Sequence, residues 1–422
     1  MSTNTESLSQ NMSQEVKNLE KAQTFFDIVY SQFIENKAAV FGAITILLFV
    51  LIALFGPLLE YATGIDADTQ NVFSRYKPPF TKITASQDVR ESAIQNFIKN
   101  NEADALIIQN ALIEQKTVSP IRPEDALYDW VNIKDRDLAI SAIKKINNHK
   151  THELAKMINS FDTYHVLGTD ELGRDVLMRL IYGTRVSIGV GILVAIVSAL
   201  IGLIIGSIAG YYGGVIDSIL MRVTDALLSL PILPVLVVVA AIDLKKVLGG
   251  LVSLAQTIAG ATGEKLAQSF VDGIFSGGKE SIYKLVFILC LFSWMTVARL
   301  IRGSILSLRE REFILAAKTL GATDFTIIVR HMFPNVIAPM LVSVTLGVGE
   351  SILSEAALSY LGLGIQPPTP SWGNMLFNAQ ELIYQAPTLA FLPGFLILLV
   401  VISFNFLGDG LQDAIDPKTV KR

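Results

Sequence analysis

An all-helical bundle of six membrane spans, with one mainly helical polar insert after the first span, is the fold class this sequence predicts. Three observations predict it. Of 422 residues, 51% are hydrophobic and only 17% charged, against about 25% charged in a soluble domain, and the mean hydropathy is +0.49. The charges are segregated: residues 186–210 carry none, whereas residues 61–160 are dense in Lys, Asp and Glu. Six apolar runs meet or approach the roughly 20 residues that a helix needs to cross hydrocarbon. The same figures exclude collagenous, disordered and disulfide-stapled classes. A formal net charge of −4 argues against a nucleic-acid partner, which needs a basic face. The only cysteine, Cys290, lies in an apolar run and forms no intrachain disulfide.

In chain order, residues 1–24 are a polar Ser/Gln/Asn-rich tail and 25–37 an amphipathic lead-in at the membrane surface. The first span, 38–59, begins too far into the chain and is too long for a signal peptide, so it is a retained helix that also targets the chain. Residues 60–164 form the external insert, with apolar residues at helical spacing (Ile94, Phe97, Ile98; Ile140, Ile143, Ile146) and prolines at 78, 79, 120 and 123. It is long enough for a small helical subdomain but short of aromatics for a deep core. A core domain over 165–417 holds the other spans, near 186–210, 226–242, 282–301, 336–360 and 388–407. The fourth has a short apolar centre at 285–298, which Lys284 and Arg299 extend by snorkelling. Residues 418–422 are a cytoplasmic end.

Gly202, Gly206 and Gly210 fall four apart in the second span and leave one helix face bare for close packing. Glu350 and Glu355 interrupt the fifth span. Carboxylates are expensive in hydrocarbon, which makes both candidates for a translocation path or gate, with helix packing an equal role for Glu355. Asp217, Arg222 and Asp225 are spaced to pair locally, Arg222 with Asp225 on one helix face. Orientation follows from short-loop cations. Residues 299–336 hold Arg299, Arg302, Arg309, Arg311, Lys318 and Arg330, whereas 361–387 hold none. The first loop is therefore cytoplasmic, as are both termini, and the 60–164 insert is external. Lys245, Lys246, Lys265 and Lys279, in the outer loop 243–281, run against this charge rule.

Several motifs fail on inspection. Residues 273–280, GIFSGGKE, satisfy G-x-x-x-x-G-K but end in Glu280 where a phosphate loop needs Ser or Thr, and no strand precedes them. His149 and His152 share a helix face without the further ligands of a metal set. Neither a nucleophile elbow nor a zinc-protease motif occurs, so nothing points to a hydrolase and no catalytic residue is assigned.

The informative segment is the loop 309–335, REREFILAAKTLGATDFTIIVRHMFPN. Phe313, Ala316, Ala317 and Leu320 fall on one face of a short helix that starts at Glu312, with charges on the others. Gly321 ends this helix, Thr323 caps a second one, and Pro334 closes that before the next span. The small alanines permit close approach by a partner.

This loop resembles the E-A-A-x-x-x-G signature of permease subunits of ATP-binding-cassette importers. Ala316, Ala317 and Gly321 match it, and Glu312 supplies the acid as in the E-x-x-x-A-A form of the peptide branch. Leu315, His331 and Phe333 depart from the general signature at its Glu, Ile and Leu positions. Residues 165–191, 210–231, 354–376 and 406–417 resemble the second-subunit type of the oligopeptide/dipeptide/nickel permeases. The likeness covers 165–417 apart from the 243–281 loop; the insert is longer than that family leads one to expect.

The resemblance implies a non-catalytic subunit in the bacterial cytoplasmic (inner) membrane. It implies a heterodimer with a second homologous permease, two ATPase subunits carrying ATP and Mg, an extracytoplasmic substrate-binding protein and a di- or oligopeptide substrate. No cofactor or metal is held by this chain. Glu312, Phe313, Ala316, Ala317, Leu320, Gly321 and Pro334 are then the loop that docks on the ATPase. Nickel is the alternative cargo within the family, and His331 is the only histidine near a span. An ion-gradient-driven transporter would need inverted repeats and broken midplane helices, and a sensor or scaffold would need only one span.

Overall fold

The computed structural model describes residues 25–71, 74–85, 87–116, 125–131, 148–159, 161–242 and 280–415, with isolated positions between 118 and 146 and at 265 and 269. The tail 1–24, the lysines Lys245, Lys246 and Lys279, the GIFSGGK stretch, Ile140, Ile143 and the end 418–422 lie outside them.

Among the described residues, five helices are long and apolar enough to cross a membrane: α2 (Lys37–Thr63), α7 (Val176–Tyr212), α10 (Glu280–Arg309), the stretch 324–360 that contains α12 (Phe333–Tyr360), and α14 (Pro387–Ile415). The lead-in is α1 (Phe25–Glu35). The expected span at 226–242 is not one helix. α8 (Gly214–Leu228) and α9 (Ile232–Ala241) meet there at 88°. Pro231 stands at the start of α9 and offers no amide proton to continue α8. At 10 residues, α9 rises only about 15 Å, too short to cross alone.

The chain divides into two compact units, residues 1–50, 187–364 and 395–422 in the first and 51–186 with 365–394 in the second. In the first unit, close helix contacts fix the direction of each span. A Cβ built on Gly202, Gly206 or Gly210 of α7 would stand 2.7 Å from Val297 Cβ, 2.5 Å from the Ala298 carbonyl oxygen and 2.9 Å from the Arg302 carbonyl oxygen, respectively. Both numbers rise together, so α7 and α10 run parallel along this seam. Gly191 lies against Ile352 and Gly347 against Ala195, which makes α7 antiparallel to α12. Gly408 meets Leu346 and Gly349 meets Val401 and Phe404, so α14 is antiparallel to α12; Gly42 against Ser403 and Gly410 against Ala39 make α2 antiparallel to α14.

Two consequences follow. The start of α2, the end of α14 and the 309–335 loop share one membrane side. Because α7 and α10 are parallel, the chain between Tyr212 and Glu280 must also cross back. Counted as one span, the bent α8–α9 pair brings the number among the described residues to six.

The expected local pairing of Arg222 with Asp225 is not formed. Arg302 instead donates from Nε and Nη2 to Asp217 at 2.5 and 2.6 Å, and Arg299 Nη2 donates to Asp225 at 2.6 Å. Parallel α7–α10 packing brings these α10 cations to α8, where a planar guanidinium clasps a carboxylate with both its edges. Removing the charge with Asp217→Asn is expected to lower the unfolding temperature of the detergent-solubilised protein by about 2 °C. Arg222→Gln, on an exposed side chain, should leave a fluorescence melting curve unchanged.

In the second unit, the insert is helical with one addition the sequence did not reveal. Strands β1 (Thr81–Thr84) and β2 (Asp162–His165) pair antiparallel, Thr81 opposite His165 and Thr84 opposite Asp162. Helices α3 (Gln87–Asn100), α4 (Glu102–Glu114), α5 (Ala126–Val131) and α6 (Thr151–Asn159) surround a core of Ile94, Phe97, Ile108, Leu112, Leu127, Leu154 and Phe161. Aliphatic residues supply most of that core, so it forms despite the scarcity of aromatics. The turn after β2 is held by buried charge. Asp170 accepts from the Leu172 and Arg174 amides at 2.9 Å and from Arg174 Nε at 2.7 Å. His165 Nδ1 lies 2.7 Å from Asp175 Oδ2. Burial, and then the neighbouring Asp170, push the Glu171 carboxyl above its ordinary range.

Candidate functional site: an exposed helix on an anchored loop

α11 (Glu312–Thr319) opens on Glu312, an acid in the first turn where the helix dipole favours negative charge. Its end is a Schellman motif. The Ala322 amide donates to the Ala317 carbonyl at 3.1 Å and the Gly321 amide to the Lys318 carbonyl at 3.0 Å, with Gly321 at φ +82°. Only glycine takes that conformation without strain. Two residues on, the Thr323 hydroxyl accepts from the Thr326 amide at 3.3 Å and starts the next turn, Asp324–Thr326.

The expected closure at Pro334 is not found. Pro334 lies in the first turn of α12, and helix runs on from Asp324 to Tyr360. A π-helical turn over Ile327–Met332 precedes it. The Phe333 amide reaches back to the Ile328 carbonyl, and Asn335 Nδ2 donates to the His331 carbonyl at 2.7 Å. This wider turn accommodates a proline that would break a regular helix.

The apolar face read from the sequence is turned away from the protein. Phe313 is 46% exposed and Leu320 88%; Ala316 is exposed and Ala317 half-buried. Phe325, which sequence reasoning missed, extends the face at 76% exposure. The loop is nonetheless firmly held from beneath. Ile314 and Ile327 are buried with Met332 among Val297, Ile301, Ile305 and Tyr211. Ile314 corrects the expectation that charges occupy the other faces of α11; an isoleucine between Phe313 and Leu315 was the available signal. The Tyr211 hydroxyl donates to Asp324 at 2.5 Å, and Arg309 Nη1 donates to the Tyr211 carbonyl at 3.0 Å. Burying these anchors gains several kcal/mol, about 1.5–3 kcal/mol for each large side chain. A rigid platform therefore presents a strip of apolar surface that no described residue of this chain covers.

The two intramembrane carboxylates are treated differently. Glu355 is fully buried and accepts from Ser187 Oγ at 3.0 Å and Ser359 Oγ at 2.8 Å, joining α7 to α12. Five residues earlier, Glu350 is exposed on the wall of a cavity of about 450 Å³ enclosed by α7, α9, α10, α12 and the end of α8. Glu355 does not line that cavity.

Comparison with known proteins identifies this architecture. The profile of the binding-protein-dependent transport system inner membrane component family matches residues 202–421. That of the N-terminal transmembrane domain of oligopeptide transport permease C matches residues 24–79. A dipeptide transport system permease protein of Alkalihalophilus pseudofirmus is 38% identical over 254 residues, 60% of this chain and 72% of the relative. Glutathione transport system permease proteins of Escherichia coli and Shigella boydii are 37% identical over the same length and shares. The chain therefore belongs to the binding-protein-dependent transport system inner membrane components, the permease subunits of ATP-binding-cassette importers.

Proposed function

We propose that this chain forms half of the translocation path of an importer for di- or oligopeptides. In this reading the exposed face of α11 docks on a separate ATPase subunit. The observation that carries it is the combination in the 309–335 loop: buried Ile314 and Ile327 beneath, uncovered Phe313, Leu320 and Phe325 above. A helix free to swing would absorb a partner's movement. One locked to α7 and α10 passes it on to the spans as a rigid-body rotation. Closure of two ATPase subunits on ATP and Mg would thus rock this chain against a second, homologous permease, between states open to either side.

The cation-rich loop 299–336 then lies in the cytoplasm with both termini, and the 60–164 insert lies outside. An extracytoplasmic binding protein delivers the substrate there. Relatives that move dipeptides and glutathione support a small peptide as cargo. The cavity beside Glu350 supplies space within the spans, and the seam at Gly202, Gly206 and Gly210 keeps two of its walls together.

Purification in mild detergent tests the assembly. A sister permease and two ATPase chains should co-elute, and peptide-loaded binding protein should stimulate ATP hydrolysis by the complex. Peptide uptake that persists without the ATPase chains and follows an imposed ion gradient would overturn the reading.

A further inference from the structure

The cavity beside Glu350 carries charge of one sign only. Glu350 is the only charged side chain among the described residues on its wall. No hydrogen bond or ion pair takes up its carboxylate among those residues, although an unpaired carboxylate in a membrane span is costly. Three of the six hydroxyls that line the cavity have spent their protons. Ser293 donates to the Leu289 carbonyl at 2.9 Å, Ser351 to the Gly347 carbonyl at 2.7 Å and Ser354 to the Glu350 carbonyl at 2.9 Å. What these three offer the cavity is lone pairs.

The broken span adds to this. Leu227 and Leu228, in the last turn of α8, and Leu230, in the break, line the same cavity. The carbonyl end of α8 therefore abuts it with the negative pole of that helix's dipole, while Ile232 brings the amide end of the shorter α9 to the same wall. Broken helices at the substrate site are a recurrent way to aim such poles at charged ligands. With Glu350 as the sole charge on the described wall, three donor-spent hydroxyls beside it and the α8 C-terminus, the cavity favours a cationic ligand that donates. A primary ammonium, with three N–H donors and no acceptor, meets that description. A transition-metal ion does not, because one carboxylate among hydroxyls lacks the nitrogen or sulfur ligands it prefers.

We infer that Glu350 and the cavity beside it receive a primary ammonium group of the cargo, the free amino terminus of a peptide, on its way through the membrane. This rests on the proposed peptide-importer reading and adds a selectivity element within the permease itself. The leucines beside the break accept the apolar remainder of a small peptide without asking for a particular side chain.

The test uses the complete importer in proteoliposomes and a tripeptide with neutral side chains. Its N-acetylated form is the competitor, the pair being chosen so that the binding protein holds both with equal affinity. Wild type should take up the free peptide at least tenfold faster than the acetylated one. In Glu350→Gln that ratio should fall to near one, through loss of free-peptide uptake. Glu350→Asp, which keeps the charge on a shorter stem, should restore part of the preference and guards against simple misassembly. An N-acetylated peptide carrying one lysine separates the sources of the ammonium: slow uptake assigns the amino terminus. Fast uptake through wild type but not Glu350→Gln would overturn the amino-terminal assignment in favour of any ammonium. An unchanged ratio in Glu350→Gln would overturn the inference while leaving the importer reading intact. Uptake of neither peptide by wild type would overturn both.

Discussion

Gly321→Pro is expected to abolish binding-protein-stimulated ATP hydrolysis and peptide uptake, while the chain still inserts into the membrane and assembles its spans. Proline fixes φ near −65°, whereas Gly321 sits at +82° and donates its amide to the Lys318 carbonyl. The substitution removes both, so the Schellman turn that sets the exit of α11 is lost. The graded series is the informative part. Gly321→Ala meets open space, since no atom lies within 4 Å of its added Cβ. It pays only the left-handed strain, about 1–2 kcal/mol, and should retain partial coupling. Gly321→Asn, a residue that tolerates this conformation, should retain most of it. Ala317→Trp reaches the same outcome as the proline by a different route, placing bulk on the docking face while leaving the turn intact. Measuring ATPase stimulation and uptake together separates uncoupling from failure to assemble. Full uptake by Gly321→Pro would remove the loop from the mechanism.

The second large effect is expected at the seam. A Cβ on Gly206 would stand 2.5 Å from the Ala298 carbonyl oxygen, 2.9 Å from Ile301 Cβ and 3.1 Å from the Arg302 amide nitrogen. These contacts are mostly backbone, which cannot move aside as a flexible side-chain tip can. Gly206→Val must therefore drive α7 and α10 apart. Overpacking of this kind costs about 1–3 kcal/mol. Here it also strips the Arg302–Asp217 clasp and the Ile314 anchor, which depend on the same pair of helices. The yield of monodisperse protein on size exclusion should collapse. Gly189→Ala is the control within the same helix, because nothing lies within 4 Å of that position, and its elution profile should match wild type. Equal behaviour of the two variants would contradict the seam.

The sequence made the spans legible because hydrocarbon allows few alternatives: an apolar run of this length must be helical to satisfy its backbone. Four-residue glycine spacing and the Gly321–Thr323 stop-and-start signal were legible for the same reason, since each has a local physical cause. What escaped were features set by distant parts of the chain. Arg222 and Asp225 sit at helical spacing, yet Arg299 and Arg302, more than seventy residues on, take the carboxylates. The pairing of β1 with β2 joins residues about eighty positions apart, and no local pattern announces it. Pro231 and Pro334 show the limits of a single rule. The first breaks a span and turns the chain by 88°, whereas the second is absorbed by a π-helical turn. Glu350 and Glu355 look alike as intramembrane acids. Ser187 on another helix and the rotamer of Ser359, which donates to the carboxylate where Ser354 donates to the Glu350 carbonyl, distinguish the satisfied carboxylate from the open one.

The most direct measurement concerns Leu320, which is 88% exposed at the end of α11. The native Cys290 is buried, so a Leu320→Cys chain presents one accessible thiol. In the assembled importer a short thiol-to-amine cross-linker should join this position to an ATPase subunit in high yield. The Gly321→Pro background should lose that product. A cross-link confined to lipid, to the sister permease or to the chain itself, in a complex that still hydrolyses ATP on binding-protein delivery, would contradict the account.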